Sequence, residues 1–390
     1  MPTTLESRRD ALRKITASAA AIGLAQMTLP AFVFPSQADD EDLVPFLDMP
    51  RAKPGILDWE TLTEWITPQD QVFSVSHYGV PAVKAEDYSL EVTGLVEKPR
   101  KFSLAELQAL PQRDQLMTLE CSGNGASKGF MGAVYNSKWT GTQLAPLLQL
   151  CGIKPEASEV VFIGADRKKE TIKQAEVEVP FGRSMSVANA LDPNLLLVHQ
   201  RNGKPLEPGN GFPVRLLVPG WYGIANVKWL TRIEIRAGRY MGRFMARDYV
   251  TLRGEKRGEQ IEYVETSVTR MNLKSIIARI TRRPTKDGLV PVKAYGAVWS
   301  DGTEVKKVEI QIDGGDWREA KLDKEPRSKY CWTFFSLDAG DLKPGKHTLV
   351  SRAIDATGRI QPAATDDEIA LKKTYYEAYQ QWPREIELTA

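Results

Sequence analysis

The chain has 390 residues, of which 42% are hydrophobic and 26% charged, and this composition is typical of a globular protein and excludes a disordered one. Its length predicts about two to four domains. A net charge of +2 gives no sign of nucleic-acid or membrane-surface binding, three cysteines are too few for a disulfide framework, and no run of about 18 apolar residues predicts a membrane span.

The first 38 residues are typical of an export signal. Ser7-Arg8-Arg9 precedes an apolar run from Ile15 to Phe34, and Ser36-Gln37-Ala38 supplies small residues for cleavage. Paired arginines in this position resemble a twin-arginine signal. We therefore expect a twin-arginine-type signal peptide over residues 1–38 and a periplasmic mature protein, with an N-terminal amphipathic helix as the alternative. Twin-arginine export usually carries proteins that fold around a cofactor first, so the signal already hints at one.

Residues 39–270 mix short strands and helices without a regular βαβ repeat, which predicts an α+β domain. Ser103 followed by Glu106 is a capping-box pattern at the start of a helix. The expected elements are a helical stretch around Trp59–Ile66, helices Leu104–Leu110 and Thr142–Leu150, and strands Gln115–Leu119, Val160–Ile163, Val214–Val218 and Lys228–Ile235.

Residues 271–373 have a different pattern, with short strands at regular spacing and turn signals such as Asp301-Gly302 and Pro344-Gly345 between them. This pattern predicts a β-sandwich of about a hundred residues. The expected strands are Ile276–Ile280, Val290–Trp299, Val305–Asp313, Cys331–Leu337, His347–Asp355 and a short one at Ile369–Leu371. Residues 374–390 are then a C-terminal tail.

Cys121 is the most conspicuous candidate for chemistry. It follows a predicted strand and opens a flexible Ser-Gly-Asn-Gly loop, so the strand would present its side chain at the mouth of a site. A thiolate is a soft ligand suited to a polarisable metal. The alternative is an ordinary buried cysteine, which is what we expect of Cys151 and Cys331.

A second group of candidates lies in residues 201–229. Glycine and proline turns there bracket a strand, with Arg215 and Lys228 close to the turns. Arginine offers a bidentate fork and lysine a point charge, so this segment suits an anionic ligand such as a phosphate. The alternative is a set of solvated surface charges. The sequence has neither zinc-ligand spacing of its histidines nor a glycine-rich phosphate loop.

Together these segments resemble the sulfite oxidase family of molybdenum enzymes, over nearly the whole mature chain. The ordered set of motifs that carries the resemblance is His77-Tyr78-Gly79-Val80-Pro81, Glu120-Cys121-Ser122-Gly123-Asn124, Asn202-Gly203, Gly211-Phe212-Pro213-Val214-Arg215, Val227-Lys228-Trp229-Leu230 and Asp248-Tyr249. The second half, with Asp313-Gly314-Gly315-Asp316-Trp317, resembles the immunoglobulin-like dimerisation domain of that family.

The resemblance implies a molybdopterin domain followed by an immunoglobulin-like β-sandwich, with a molybdenum–molybdopterin cofactor. Cys121 would be the thiolate ligand of the molybdenum, and Tyr249 would stand beside the metal-oxo group and the substrate. The remaining residues that the resemblance assigns to the cofactor are His77, Ser122, Arg183, Ser184, Asn210, Arg215, Asn226 and Lys228.

Two positions depart from the family pattern. Val75-Ser76 replaces an Arg-Asn pair that classical members carry before the histidine, and Gly125-Ala126 stands where arginines usually follow the cysteine loop. Fewer positive charges weaken the attraction for an anionic substrate. Lys128, Arg247 and Arg253 are candidates to compensate.

The implied activity is oxidation of a small anionic sulfur substrate, sulfite, to sulfate. Because the chain has no Cys-x-x-Cys-His motif, electrons would pass to a separate c-type cytochrome or haem subunit. A homodimer is implied only by the resemblance. The same cofactor acting on another sulfur compound, either carrier-bound sulfur or a sulfoxide, is the first alternative. A non-enzymatic periplasmic binding protein is the second.

Overall fold

The structure is a computed structural model that describes residues 41–48, 55–62, 64–126, 131–323 and 328–389. The expected signal peptide, residues 1–38, lies outside the described residues, and so does Lys128. Among the residues described, no helix has the length and apolar character needed to cross a membrane.

Strands dominate the regular structure and the helices are few and short, so the α+β prediction is confirmed only in part. The strands are β1 Asp42–Leu43, β2 Ser89–Gly94, β3 Arg100–Ser103, β4 Gln112–Glu120, β5 Val134–Gln143, β6 Glu159–Ile172, β7 Ala175–Ser186, β8 Leu196–Arg201, β9 Lys204–Pro205, β10 Arg215–Leu217, β11 Leu230–Arg236, β12 Val250–Arg257, β13 Gln260–Ser267, β14 Lys274–Arg282, β15 Val290–Trp299, β16 Val305–Ile312, β17 Arg318–Glu319, β18 Lys321–Leu322, β19 Thr333–Leu342, β20 Gly345–Asp355 and β21 Pro383–Leu388. The helices are α1 Leu104–Ala109, α2 Leu144–Cys151, α3 Val187–Ala190, α4 Arg243–Ala246 and α5 Asp367–Ala370, with single 3₁₀ turns at Gln69–Gln71, Pro208–Asn210 and Gly223–Ala225.

The helix with the strongest local signal forms as predicted. At the start of α1 the Ser103 hydroxyl accepts the Glu106 amide at 3.2 Å, and the Glu106 carboxylate accepts the Ser103 amide at 2.8 Å. Two weaker predictions are wrong. The described residues of Trp59–Ile66 form turns, bends and a single bridge position rather than a helix, and Ile369–Leu371 falls largely in α5 rather than in a strand. Short apolar runs show too little periodicity to distinguish a helix from a strand, so tertiary packing determines their secondary structure.

The first domain contains two five-stranded sheets. One has the order β3-β2-β11-β6-β7, in which only β2 and β11 run parallel, and the other has the order β10-β8-β5-β4 with β9 paired to β8. Alternating residues of β2, Leu90 and Val92, are fully buried, which is the pattern of a strand with one face on the core. The ends of β4, β10 and β11 meet at a cavity in this domain.

The second domain consists of two sheets packed face to face, with orders β1-β14-β15-β19-β18 and β17-β16-β20-β21. Inward side chains of both sheets, such as Val292, Ile310 and Leu349, share one core, as expected of a sandwich. Strands distant in sequence complete it: β1 pairs with β14, and β21, from the segment expected to be a tail, pairs with β20.

The two domains share an apolar core. The indole of Trp59 stacks on Trp299 with ring centroids 6.1 Å apart and contacts Trp332 at 5.4 Å. At Gly220, where φ is +80°, a Cβ would lie 2.2 Å from the carbonyl oxygen of Asp301 in the second domain. Only glycine fits such a contact, so the two domains are in direct backbone contact at Gly220.

Candidate cofactor site

A cavity opens among the loops of the first domain. Its walls come from the segment 73–77, the loop after β4, the turns on either side of β10 and the loop after α4. Eight of the ten predicted site residues line it: His77, Cys121, Ser122, Asn210, Arg215, Asn226, Lys228 and Tyr249. The fold thus gathers side chains as far as 172 positions apart in sequence.

Cys121 opens onto this cavity from the end of β4. Its amide donates to the Ala133 carbonyl at 2.9 Å, and its carbonyl accepts the Asn124 amide at 2.9 Å, so the backbone on both sides is fixed. Burial raises the pKa of the Cys121 thiol, while a hydrogen bond from the Gly123 amide opposes that rise. Cys121 is therefore a half-buried residue that lines the cavity on a fixed backbone, as a metal ligand requires.

Two cations lie together in the cavity wall. The Arg215 guanidinium is buried and donates to the carbonyls of Asn210 at 3.1 Å and Asn226 at 3.0 Å. The Lys228 ammonium donates to the Gly209 carbonyl at 2.8 Å. Burial, with repulsion from Arg215 second, lowers the pKa of Lys228 to about 7. An anion bound here would relieve this repulsion and restore the charge on Lys228.

The two asparagines serve mainly to shape the turns. The Asn226 side chain accepts the Val218 amide at 2.7 Å and donates to the Tyr222 carbonyl at 3.2 Å. The Asn210 side chain donates to Glu207 at 3.2 Å. These bonds fix the backbone around the two cations.

Asp166 was missed by the sequence reasoning. It lines the cavity where the pairing of β6 with β7 shifts register, and its Oδ1 atom is buried without a hydrogen-bond partner. Burial raises the pKa of this carboxyl to about 6, and Lys228 opposes the rise. A buried oxygen with no partner is unfavourable unless a ligand donates to it. The only sequence signal was an aspartate three positions after the predicted apolar strand Val160–Ile163.

Tyr249 and His77 form a hydrogen-bonded pair, with 2.6 Å between the phenol oxygen and Nε2. Burial raises the pKa of Tyr249 and lowers that of His77. At neutral pH the pair is therefore an uncharged phenol and an uncharged imidazole. The Tyr249 ring stacks on Tyr376 with centroids 4.8 Å apart, and His77 packs edge-on against Phe244 at 4.6 Å, so both rings are fixed.

Arg183 and Ser184 are not brought to the cavity wall, as far as the described residues define it. The Arg183 guanidinium, on β7, donates to the carbonyls of Phe244 and Val268, and the Ser184 hydroxyl donates to Glu159. Both side chains face neighbouring chain segments in this structure. Arg183 fastens the segments before and after Tyr249, which places it behind the site.

The positions that depart from the family pattern affect the cavity unequally. Val75 lines it and is 50% exposed, whereas Ala126 does not belong to the described lining. Of the candidates to compensate, Arg253 pairs with Glu377 at 2.6 Å and Arg247 lines a separate surface cleft. Among the described lining residues the arginines and lysines are Arg215 and Lys228 alone.

Comparison with known proteins gives two matches that divide the chain as the fold does. Residues 77–244 match the model of the oxidoreductase molybdopterin binding domain, and residues 265–377 match the Mo-co oxidoreductase dimerisation domain. Sulfite oxidase of Arabidopsis thaliana is 29% identical over 334 residues, covering 77% of this chain and 83% of the relative. Human mitochondrial sulfite oxidase is 31% identical over 332 residues, and the chain spans only 58% of its length.

Two further similarities are informative. Nitrate reductase [NADH] 1 of Arabidopsis thaliana is 32% identical over 349 residues, which cover 76% of this chain and 36% of that protein. A chain in the crystal structure of the sulfane dehydrogenase SoxCD from Paracoccus pantotrophus is 25% identical, with a TM-score of 0.72 and full coverage of both chains. The fold and the site define an oxidoreductase that carries a molybdenum–molybdopterin cofactor. The chain belongs to the sulfite oxidase family of molybdenum-dependent enzymes.

The cavity fits this cofactor chemically. A phosphorylated pterin brings an anion for Arg215 and Lys228 and N–H donors for the unpartnered oxygen of Asp166. The Ser122 hydroxyl is also buried without a partner, next to the thiol of Cys121. The phosphate and the N–H donors of the cofactor thus match the two cations and the unpartnered oxygen of Asp166.

Proposed function

We propose that this enzyme oxidises a small sulfur compound, with sulfite as the substrate and sulfate as the product. The reaction consumes one water, which supplies the added oxygen atom, and releases two protons and two electrons. The single observation that carries the proposal is the opening of Cys121 into the same cavity as the Tyr249–His77 pair and the two cations. The bound cofactor supplies the oxygen-atom transfer and the two-electron redox change.

The chain's own residues would have distinct roles. Cys121 would hold the metal, and Arg215, Lys228 and Asp166 would hold the pterin and its phosphate. Tyr249, a neutral phenol fixed by His77 and Tyr376, would donate a hydrogen bond to the substrate oxygen without adding a charge. The pterin contacts expected of Arg183 and Ser184 stay predictions.

We further propose that the enzyme works in the periplasm and passes single electrons to a c-type cytochrome or haem subunit. The twin-arginine pattern supports the first point, and the absence of a haem-attachment motif in the sequence supports the second. The match to a dimerisation domain supports a homodimer.

A second candidate substrate is sulfur bound to a carrier or another sulfur compound of lower charge. The observation that favours it is Val75, a half-exposed apolar side chain on the cavity wall where the family usually has an arginine. The similarity to a sulfane dehydrogenase over the whole chain points the same way. Steady-state kinetics with sulfite, thiosulfate and a sulfoxide separate the candidates. An enzyme specific for sulfite has a higher kcat/KM with sulfite than with either of the other two compounds.

The test of the proposed function is the Cys121→Ser variant of the full chain, produced with its cofactor. We expect molybdenum to be lost and turnover to fall by more than the roughly ten- to hundredfold typical for loss of an outer-shell partner. Cys151→Ala, at the buried end of α2, is the matched control and should keep metal and turnover. Metal-free wild-type protein, or substantial turnover by Cys121→Ser, would overturn the proposal.

A further inference from the structure

A buried network joins the cysteine loop to the second domain. The Glu120 carboxylate, directly before Cys121, accepts the Lys274 ammonium at 2.8 Å and the Asn124 side-chain amide at 2.9 Å on one oxygen. Its other oxygen accepts the Trp299 indole N–H at 2.8 Å. Lys274 and Trp299 are paired residues of β14 and β15 in the second domain.

The same network closes the far side of the loop. The Lys274 ammonium also donates to the Asn124 carbonyl at 3.2 Å, and the Asn124 side chain accepts the Ala133 amide at 3.0 Å. Lys274 therefore binds the residue before Cys121 and the residue three positions after it. A movement of this one ammonium group would displace both ends of the turn that carries the thiol.

Burial makes this arrangement unusual. The side chains of Glu120 and Lys274 are 1% and 0% exposed, and the Lys274 ammonium lies 5.7 Å from the centre of the Trp299 ring. Two charges removed from water gain little net stability from each other, and apolar residues of similar volume often do as well. Stability alone therefore does not explain why the chain has a buried charge pair here. The fixed direction of the hydrogen bonds of the pair does explain it.

We propose that Lys274 is a positioning residue that sets the orientation of the Cys121 thiol through Glu120 and Asn124. The second domain, whose family description assigns it dimerisation, thereby has a second role within its own chain: it completes the metal-binding loop. The inference rests on the proposed assignment of Cys121 as the metal ligand. It does not depend on which sulfur compound is oxidised.

The experiment compares two full-chain variants, Lys274→Met and the double variant E120Q/K274M. The single variant leaves a buried carboxylate without its cation and is strongly destabilising, whereas the double variant removes both charges and keeps the volume. Arg384→Met is the matched control, because it breaks another buried ion pair of the second domain, Arg384 with Asp48, away from the loop. Amide hydrogen exchange of residues 119–126 is the main measurement, since it needs neither metal nor turnover.

We expect both Lys274 variants to speed exchange of the Cys121 and Asn124 amides by at least about tenfold, and Arg384→Met to leave them unchanged. In the loaded enzyme, the thiolate-to-molybdenum charge-transfer band of E120Q/K274M should change in intensity at a retained melting temperature. Unchanged exchange in the double variant, or equal acceleration in the control, overturns the inference. Failure of the proposed function is a separate result, because it shows as absent metal in the wild type.

Discussion

The residues of the cavity wall carry charges that the protein alone does not neutralise. Arg215 and Lys228 repel each other, and the buried Oδ1 of Asp166 has no partner. Such groups lower the stability of the cofactor-free protein and strengthen the binding of an anionic ligand that also donates hydrogen bonds. The site is therefore organised for its cofactor at the expense of the empty protein.

Asp166→Asn should stabilise the cofactor-free protein above pH 6. The folded-state pKa of about 6 lies above the ordinary 3.8, so the folded carboxyl binds its proton more tightly than the unfolded one. Its contribution to stability therefore falls as the pH rises from about 4 to 6 and stays low above. We expect a gain of up to about 3 kcal/mol at pH 7 and none at pH 4, measured by urea unfolding.

Asp248→Asn is the control for that experiment, since Asp248 pairs with Arg243 at 2.6 Å on a partly exposed surface. Its replacement should give no gain and a loss of at most about 1 kcal/mol. An Asp166→Asn gain that is equal at pH 4 and pH 7 would contradict the assignment of the penalty to the charged form.

Tyr249→Phe should reduce kcat/KM by about ten- to a hundredfold and leave the fold intact. The variant removes the hydroxyl beside His77 but keeps the ring stacked on Tyr376. A positioned donor of this kind contributes on that order. Steady-state kinetics with sulfite measure the effect. Tyr376→Phe, which keeps both stacked rings, should stay within about threefold of wild type, and an unaffected Tyr249→Phe enzyme would remove Tyr249 from the site.

Among the helices and strands, local sequence determines the secondary structure of a segment when its signal is complete. In the other segments, tertiary contacts determine it. The capping box at α1 satisfies two amides within four residues, so it forms wherever the chain places it. The hairpin β12–β13 was not predicted, although it follows Tyr249 directly. Its charged residues alternate too weakly to be distinguished from a loop.

Ser103→Ala should lower the free energy of unfolding by about 1 kcal/mol, because the Glu106 amide loses its acceptor. Urea unfolding at neutral pH checks this, with Ser103→Thr as the conservative variant that should retain most of the stability. A Ser103→Ala protein as stable as wild type would show that α1 is held by packing alone.

At the scale of the whole molecule, the two domains act as one unit. Trp59 of the N-terminal segment stacks on Trp299 and touches Trp332 of the second domain, and the Glu120–Lys274 pair crosses the same boundary. Burial of aromatic surface between the domains makes separate unfolding unfavourable, since either domain alone would expose it to water.

The chain should therefore unfold in a single transition, with tryptophan fluorescence and far-ultraviolet circular dichroism giving the same midpoint. Gly220→Ala should shift both signals together to lower urea, because its Cβ would clash with the Asp301 carbonyl oxygen at the boundary. Two resolved transitions, or a shift in only one signal, would contradict a shared core.

Patterns in the sequence were enough to predict the family, most strands of the second domain and eight residues of the cavity wall. Local patterns singled out Cys121, Arg215 and Lys228, through a cysteine after a strand and glycine and proline turns around cations, and alternation predicted the strands. The other predicted residues of the cavity followed from the resemblance to the family. Each pattern is complete within a few neighbouring residues, so it can be read without knowing where the rest of the chain lies.

The burial of particular charges is set by the folded chain and could not be predicted from the sequence. Asp166 and Lys274 resemble solvated surface residues in the sequence, and Arg183 resembles a cofactor contact although it binds backbone carbonyls behind the wall. Lys274 meets Glu120 across 154 positions of sequence. The energy of a charge depends on how much water and which partners surround it, and that environment comes from chain segments far apart in sequence.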